Sequence, residues 1–169
     1  DFLDKTYNAS IPYFQELPLD YRISSIHYLP LQMPLEEENM MCIDGSYDAF
    51  KISTEEYYGG DIRKVVRHFY QSSCEMVEAG GFDVVGHLDK IYMVEVNTKN
   101  YVKKRELFPH QAFLKCLKER NIPVMVNSDC HYPDLVNDGR EAAFDFLKEA
   151  GYKNTCELVK GVWREVALE

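Results

Sequence analysis

The sequence predicts an α/β fold with a mostly parallel sheet or barrel. Short runs of β-branched residues alternate with segments of helical periodicity, which is typical of βα units. The chain has 169 residues, of which 46% are hydrophobic, so it is long enough for one domain with its own core. Several predicted strands end in histidine or aspartate at their carboxyl ends. In parallel α/β folds, active sites are built at the edge of the sheet where these carboxyl ends lie.

The first half of the chain predicts one strand and one long helix. Residues 1–20 form an irregular lead-in, and residues 21–29 are rich in the β-branched and aromatic types that favour a strand. Residues 30–48 contain prolines, a run of three glutamates and an Asp-Gly pair, which together predict a long surface loop. Asp61 is predicted to cap a helix that continues to residue 79 and ends at Gly80.

The second half predicts alternating strands and helices. The predicted strands are residues 82–87, 93–97 and 122–127. The predicted helices are residues 108–120 and 138–149, with Asp138 as the cap of the second and Gly151 as its end. Residues 157–168 alternate well enough for one or two edge strands around Lys160 and Gly161.

The connection between the strands at 82–87 and 93–97 does not fit a parallel pair. Only residues 88–92 separate them, whereas a parallel crossover needs about a dozen residues or more. The two runs are antiparallel, or they form one bent strand, or a crossover helix is missing. Because the other units look parallel, we favour a missing segment near residues 90–93.

Charge and cysteine content narrow the classes of function. The 28 acidic and 19 basic residues give a net charge of −9, which argues against nucleic acid and anionic membranes as partners. The longest apolar runs are too short to span a bilayer. The five cysteines are scattered and form no CxxC pair, so we expect a reduced, cytoplasmic protein without a disulfide framework or zinc finger.

Histidines at strand ends are the strongest sign of chemistry. His27, His87 and the Asp129–His131 pair each follow a predicted strand. Asp129 and His131 are two residues apart, so on an extended chain they point to the same side. Imidazole and carboxylate ligands suit zinc, manganese or iron ions, which makes these four residues candidate metal ligands.

The remaining polar residues near these strand ends have weaker assignments. Lys90 and Asn97 are candidate contacts to an anionic substrate. Asp89 either orients an imidazole from outside the metal shell or is a solvated loop acid. His68 is expected inside a helix, solvated or packed against a neighbour, and His110 is expected at the surface.

Four ordered motifs resemble the PHP superfamily of metal-dependent phosphoesterases, and its histidinol-phosphatase branch most closely. The motifs are residues 20–27 (DYRISSIH), 86–89 (GHLD), 95–98 (EVNT) and 127–131 (NSDCH). The resemblance covers nearly the whole chain. It implies a distorted (β/α)7 barrel with up to three divalent transition metal ions (Zn, Mn or Fe) at the carboxyl ends of the strands.

The resemblance also implies roles for individual residues. His27, His87, Asp129 and His131 resemble metal ligands of the family, and Asp129 and His131 would also position water or move a proton. The family opens with an H-x-H pair, a further histidine and a glutamate, and none of these has a counterpart here. We therefore expect residues 1–169 to be a single PHP-type domain that lacks its amino-terminal part and one internal segment, and the barrel to be incomplete.

The activity that the resemblance implies is the hydrolysis of a phosphomonoester. The implied substrate is the small phosphorylated molecule L-histidinol phosphate, which would give L-histidinol and phosphate in histidine biosynthesis. One alternative is a PHP-type phosphoesterase acting on a phosphodiester or a phosphotyrosine. Another is a catalytically inactive fragment with a structural or regulatory role, because about half of the family's metal shell has no counterpart. The sequence leaves the oligomeric state open.

Overall fold

The computed structural model describes residues 1–32, 36, 39–86, 94–98, 101, 105 and 107–169, without the side chains at 94, 95 and 97. The chain divides into two compact units, Asp1–Phe82 and Asp83–Glu169, and each is described by itself. Both units mix helices with short strands. Within the described ranges no sheet is closed into a barrel, so the PHP barrel and the single incomplete domain stay predictions.

In its described residues, the first unit consists of an irregular amino-terminal segment, short strands and three helices. In chain order its elements are α1 (Pro12–Gln15), β1 (Ile23–Ser24), β2 (Tyr28–Pro30), β3 (Met40–Cys42), α2 (Tyr47–Tyr58) and α3 (Ile62–Ala79). Residues 21–29 thus contain two short strands instead of the one predicted strand. Residues 30–48 are not a continuous loop, because β3 pairs antiparallel with β2.

Helix α3 confirms the prediction for residues 61–79. The side chain of Asp61 accepts a hydrogen bond from the backbone N–H of Arg63, which satisfies one of the unpaired donors at the helix start. Val65 and Met76 are buried on the inner face of the helix. The β2–β3 hairpin buries Leu29 and Met41 directly opposite each other, so its inner face contributes to the core of this unit.

The second unit is built on three parallel strands. Its elements are β4 (Val84–Val85), β5 (Val94–Asn97), α4 (Gln111–Glu119), β6 (Val124–Asn127), a 3-10 turn (Pro133–Leu135), α5 (Arg140–Glu149), β7 (Asn154–Val159) and β8 (Val162–Ala167). Strand β5 lies between β4 and β6, and both neighbours are parallel to it. The parallel pairing rules out an antiparallel or single bent strand for the two runs. The missing segment stays a prediction.

The core of the second unit lies between β5, β6 and the helices α4 and α5. Its fully buried members include Val96, Leu114 and Leu147. The cap of α5 differs from the prediction: Gly139 precedes the helix with φ +72°, and Asp138 makes no cap. Strands β7 and β8 confirm the predicted edge strands, although β7 begins three residues before the predicted start.

A tight turn joins β7 to β8. Lys160 and Gly161 both have positive φ, +52° and +75°, as expected of a two-residue hairpin turn of type I′. Val159 and Val162 face each other across the pair directly before and after this turn. Among the described residues, none of the helices is long and apolar enough to cross a membrane.

Candidate functional site

Asp129 and His131 form an acid–imidazole pair beyond the carboxyl end of β6. The Nε2 atom of His131 lies 3.8 Å from the Oδ1 atom of Asp129. The Asp129 side chain is 25% exposed, whereas that of His131 is 68% exposed. The Asp129 carboxylate is partly buried and the His131 imidazole is open to solvent, so the pair can bind an ion or a proton from water.

Local geometry at Asp129 differs from the extended chain that the sequence suggested. Asp129 has φ +44°, in the left-handed region that aspartate tolerates better than most residues. Its backbone N–H donates to the Oδ1 atom of Asn127, the last residue of β6, at 3.5 Å. The pair is therefore brought together by a turn that begins at the strand end, and not by alternation along a strand.

The end of β6 is itself fixed against β5. Asn97 and Asn127 lie abreast as the last residues of the two parallel strands. The backbone N–H of Thr98, which is buried, donates to the carbonyl of Asn127 at 3.1 Å. The turn that carries Asp129 thus starts from a rigid position in the sheet.

His27 lies in the first unit, between two carboxylates. Its Nδ1 atom contacts the Oδ1 atom of Asp1 directly, and its Nε2 atom lies 3.8 Å from the Oδ2 atom of Asp44. The hydroxyl of Ser25 lies 3.4 Å from the same Asp1 oxygen. The His27 side chain is 27% exposed, so one part of the imidazole is accessible to solvent.

Several predicted site residues lie outside the described part of the chain. His87, Asp89 and Lys90 belong to the range 87–93, and the side chain of Asn97 is also outside it. The structure therefore brings together one predicted ligand pair, Asp129 with His131. His27 belongs to the other unit.

The carboxylates of Asp1 and Asp44 are the functional candidates that the sequence analysis missed. Asp44 lies in the surface loop that the sequence predicts at residues 30–48, because a strand as short as β3 carries almost no periodicity. The apolar run before Asp44, which resembles the run before Asp129, was the one available signal. Across the described residues, no group of three or more His, Cys, Asp or Glu side chains is arranged to hold a metal ion.

The two remaining histidines have structural contacts. His68 accepts or donates a hydrogen bond at 2.7 Å with the hydroxyl of Tyr58, which confirms that it packs against a neighbour. Burial lowers the pKa of His68, so the neutral ring is favoured. His110 is exposed, as predicted, and its Nδ1 atom accepts from the backbone N–H of Ala112 at 3.3 Å, which caps α4.

A cavity of about 230 Å³ lies in the second unit, at the amino end of β6. Its lining includes Lys118, Tyr152, Thr155 and Cys156. Burial, together with the nearby Glu165 carboxylate, raises the pKa of the Cys156 thiol and keeps it protonated. This end of β6 is opposite to the end that leads to Asp129, so the cavity does not include the predicted site.

No protein-family model matches this chain, and no curated protein matches it. The proposed function therefore rests on the motifs and on the geometry of the described side chains.

Proposed function

We propose that this chain is a PHP-type metal-dependent phosphatase that hydrolyses a phosphomonoester, with L-histidinol phosphate as its substrate. The observation that carries the proposal is the Asp129–His131 pair, 3.8 Å apart beyond the carboxyl end of a parallel strand. Functional side chains of parallel α/β enzymes cluster at that edge. The four ordered motifs supply the family and the substrate as expectations, and the scattered cysteines supply the expected cytoplasmic location.

The chemistry of the donors fits a divalent transition metal ion. Asp129 offers a carboxylate oxygen and His131 an imidazole nitrogen, a combination that suits zinc, manganese or iron. The proposal assigns His27, His87, Asp129 and His131 as the ligands. When bound, such ions lower the pKa of a coordinated water and neutralise charge on the phosphoryl oxygens.

The residues of this chain would bind and orient the phosphate ester and would move protons to and from it. The backbone N–H of Asp129 donates to Asn127, so the main chain that carries the carboxylate is positioned at the end of β6. With one ring nitrogen of His131 assigned to the ion, the second ring nitrogen of this exposed imidazole would relay a proton between solvent and the leaving alkoxide. Lys90 and Asn97 are proposed to contact the phosphate of the substrate, where the Lys90 ammonium would neutralise part of the charge and the Asn97 amide would donate a hydrogen bond.

The test is the release of phosphate from L-histidinol phosphate by protein loaded with Zn²⁺, Mn²⁺ or Fe²⁺. We expect Asp129→Asn and His131→Gln to lower kcat by about a hundredfold or more, because each loses a ligand and a proton carrier. Asp134→Asn is the matched control, since Asp134 is an exposed acid in the nearby 3-10 turn. An Asp129→Asn variant with the full rate would refute the assignment of the site.

A panel of phosphoesters separates the proposal from its alternatives. Turnover of a phosphodiester or a phosphotyrosine peptide, without turnover of L-histidinol phosphate, would change the proposed substrate class and would leave the proposed metal site unchanged. Protein that binds no transition metal ion and releases no phosphate from any ester would favour the inactive fragment with a structural or regulatory role.

A further inference from the structure

The contact between Asp1 and His27 indicates which imidazole nitrogen points away from Asp1. An ionised carboxylate can only accept a hydrogen bond, so the contact between Asp1 and the Nδ1 atom places the ring proton on Nδ1. In the neutral imidazole the lone pair then belongs to Nε2. A carboxylate that orients an imidazole in this way, and leaves the opposite nitrogen for a metal ion, is a recurrent arrangement in zinc sites.

The Nε2 atom of His27 faces the Oδ2 atom of Asp44 at 3.8 Å. This distance is too long for a hydrogen bond between the two atoms. Two ligands that each lie about 2.1 Å from one zinc ion are separated by this distance when the angle at the ion is about 130°, which is wider than the tetrahedral angle. With a neutral imidazole, the Nε2 lone pair and the anionic oxygen repel each other, and a metal ion between them would turn this repulsion into two attractive contacts.

The β2–β3 hairpin holds Asp44 in this position. His27 directly precedes β2, and Cys42 ends β3 opposite Tyr28. The backbone N–H of Ile43 donates to the carbonyl of His27 at 2.9 Å, which fixes the chain next to Asp44. The thiol of Cys42 donates to the Oδ1 atom of Asp44 at 3.3 Å, so the carboxylate is oriented with its other oxygen toward the imidazole.

We infer that Asp44 is a metal ligand, and that its Oδ2 atom and the Nε2 atom of His27 hold one divalent transition metal ion, with water in the remaining positions. The inference rests on the proposed function, because it adds a ligand to the same metal-dependent chemistry. It does not follow from the motifs, since Asp44 belongs to none of the four. Asp44 is 60% exposed and His27 is 27% exposed, so a hydrated ion can reach both.

The test is a titration of the whole chain with Co²⁺, followed by calorimetry and by visible absorption. We expect Asp44→Asn and His27→Gln each to remove the same binding event, or to weaken it more than about tenfold. The double variant is expected to lose no more than the His27→Gln variant loses, because the two residues share one ion. Asp48→Asn is the matched control, since this exposed acid in α2 gives the same change of charge.

The outcomes separate this inference from the proposed function. If Asp44→Asn binds Co²⁺ like the wild type while His27→Gln does not, Asp44 is not a ligand, and phosphate release by the wild type still supports the phosphatase. If both variants lose the ion but the wild type releases no phosphate from any ester, the Asp44 site stands and the phosphatase proposal fails. Wild-type protein that binds no Co²⁺ overturns both.

Discussion

The hydroxyl of Tyr152 allows a test of the second unit. Its removal is expected to lower the free energy of unfolding at pH 8 and to have no net effect near pH 11. Tyr152 is 6% exposed, and its hydroxyl donates to the carbonyl of Ile122 at 3.0 Å. The ammonium of Lys118 lies 5.2 Å from the centre of the ring. Tyr152→Phe removes the hydroxyl and keeps the ring, so packing and the cation–π contact remain.

At pH 8 we expect Tyr152→Phe to lower the free energy of unfolding by about 1–1.5 kcal/mol, because it removes a hydrogen bond and leaves a half-buried carbonyl without that donor. Tyr132→Phe is the control, since Tyr132 lies in the same unit and is 67% exposed. Removing that hydroxyl breaks no buried hydrogen bond, so the control variant is expected to match the wild type.

At high pH the wild type loses this advantage. Burial raises the pKa of Tyr152 from 10.0 to about 12 in the folded chain, because the ring is removed from water and the phenolate is disfavoured. The pKa of Tyr152 is higher in the folded chain than in the unfolded chain, and the charged form is the deprotonated one. The stabilisation that comes from this pKa difference is therefore fully present below pH 10 and is lost between pH 10 and about 12. The full shift corresponds to roughly 2.7 kcal/mol, of which about half is lost at pH 11.

The two effects therefore cancel near pH 11. Urea unfolding at a series of pH values from 8 to 11 measures the difference between Tyr152→Phe and the wild type. Trp163, the single tryptophan of the chain, is half-buried on β8 and reports on the unit by its fluorescence. A difference that stays constant over this range would refute the assignment of a strongly raised pKa to Tyr152.

Three further substitutions test the packing of the two units, each by urea or thermal unfolding. Gly81→Ala is expected to lower the free energy of unfolding by more than about 2 kcal/mol, because φ is +82° and a Cβ would lie 2.5 Å from the Cα of Ser10. Gly59→Ala, with open space around it, is expected to lower it by about 1 kcal/mol. Equal costs would contradict the close approach. Leu147→Ala, at a fully buried core position, is expected to cost about 3 kcal/mol, and a cost below about 1 kcal/mol would mean that the core is not packed there.

The long helix α3 was predictable because its signals are local. Asp61 supplies a cap, Gly80 supplies the end, and apolar residues recur at helical spacing between them. Helix α2 was missed because it is almost entirely exposed and buries only Thr54. Without an apolar stripe, the remaining signals were Ser46 at its start and Gly59 at its end, where φ is +61°.

The strand β3 was missed for a different reason. A strand of three residues gains its stability from its partner, and its pairing with β2 cannot be recognised from a window of sequence around either strand. Its only local sign is a short apolar run, which is equally compatible with a buried loop. The position of Asp44 depends on this pairing, and it was therefore beyond the reach of the motif analysis.

The two acid–imidazole pairs differ in whether the spacing of their residues in the sequence could predict them. Asp129 and His131 were paired from their spacing, and the structure confirms that they are close, although a left-handed turn rather than an extended strand brings them together. His27 and Asp44 reach the same separation of 3.8 Å across a hairpin. Because the attraction for a cation depends on distance, charge and solvent exposure and not on the path of the chain, a hairpin can form such a pair as well as a turn can.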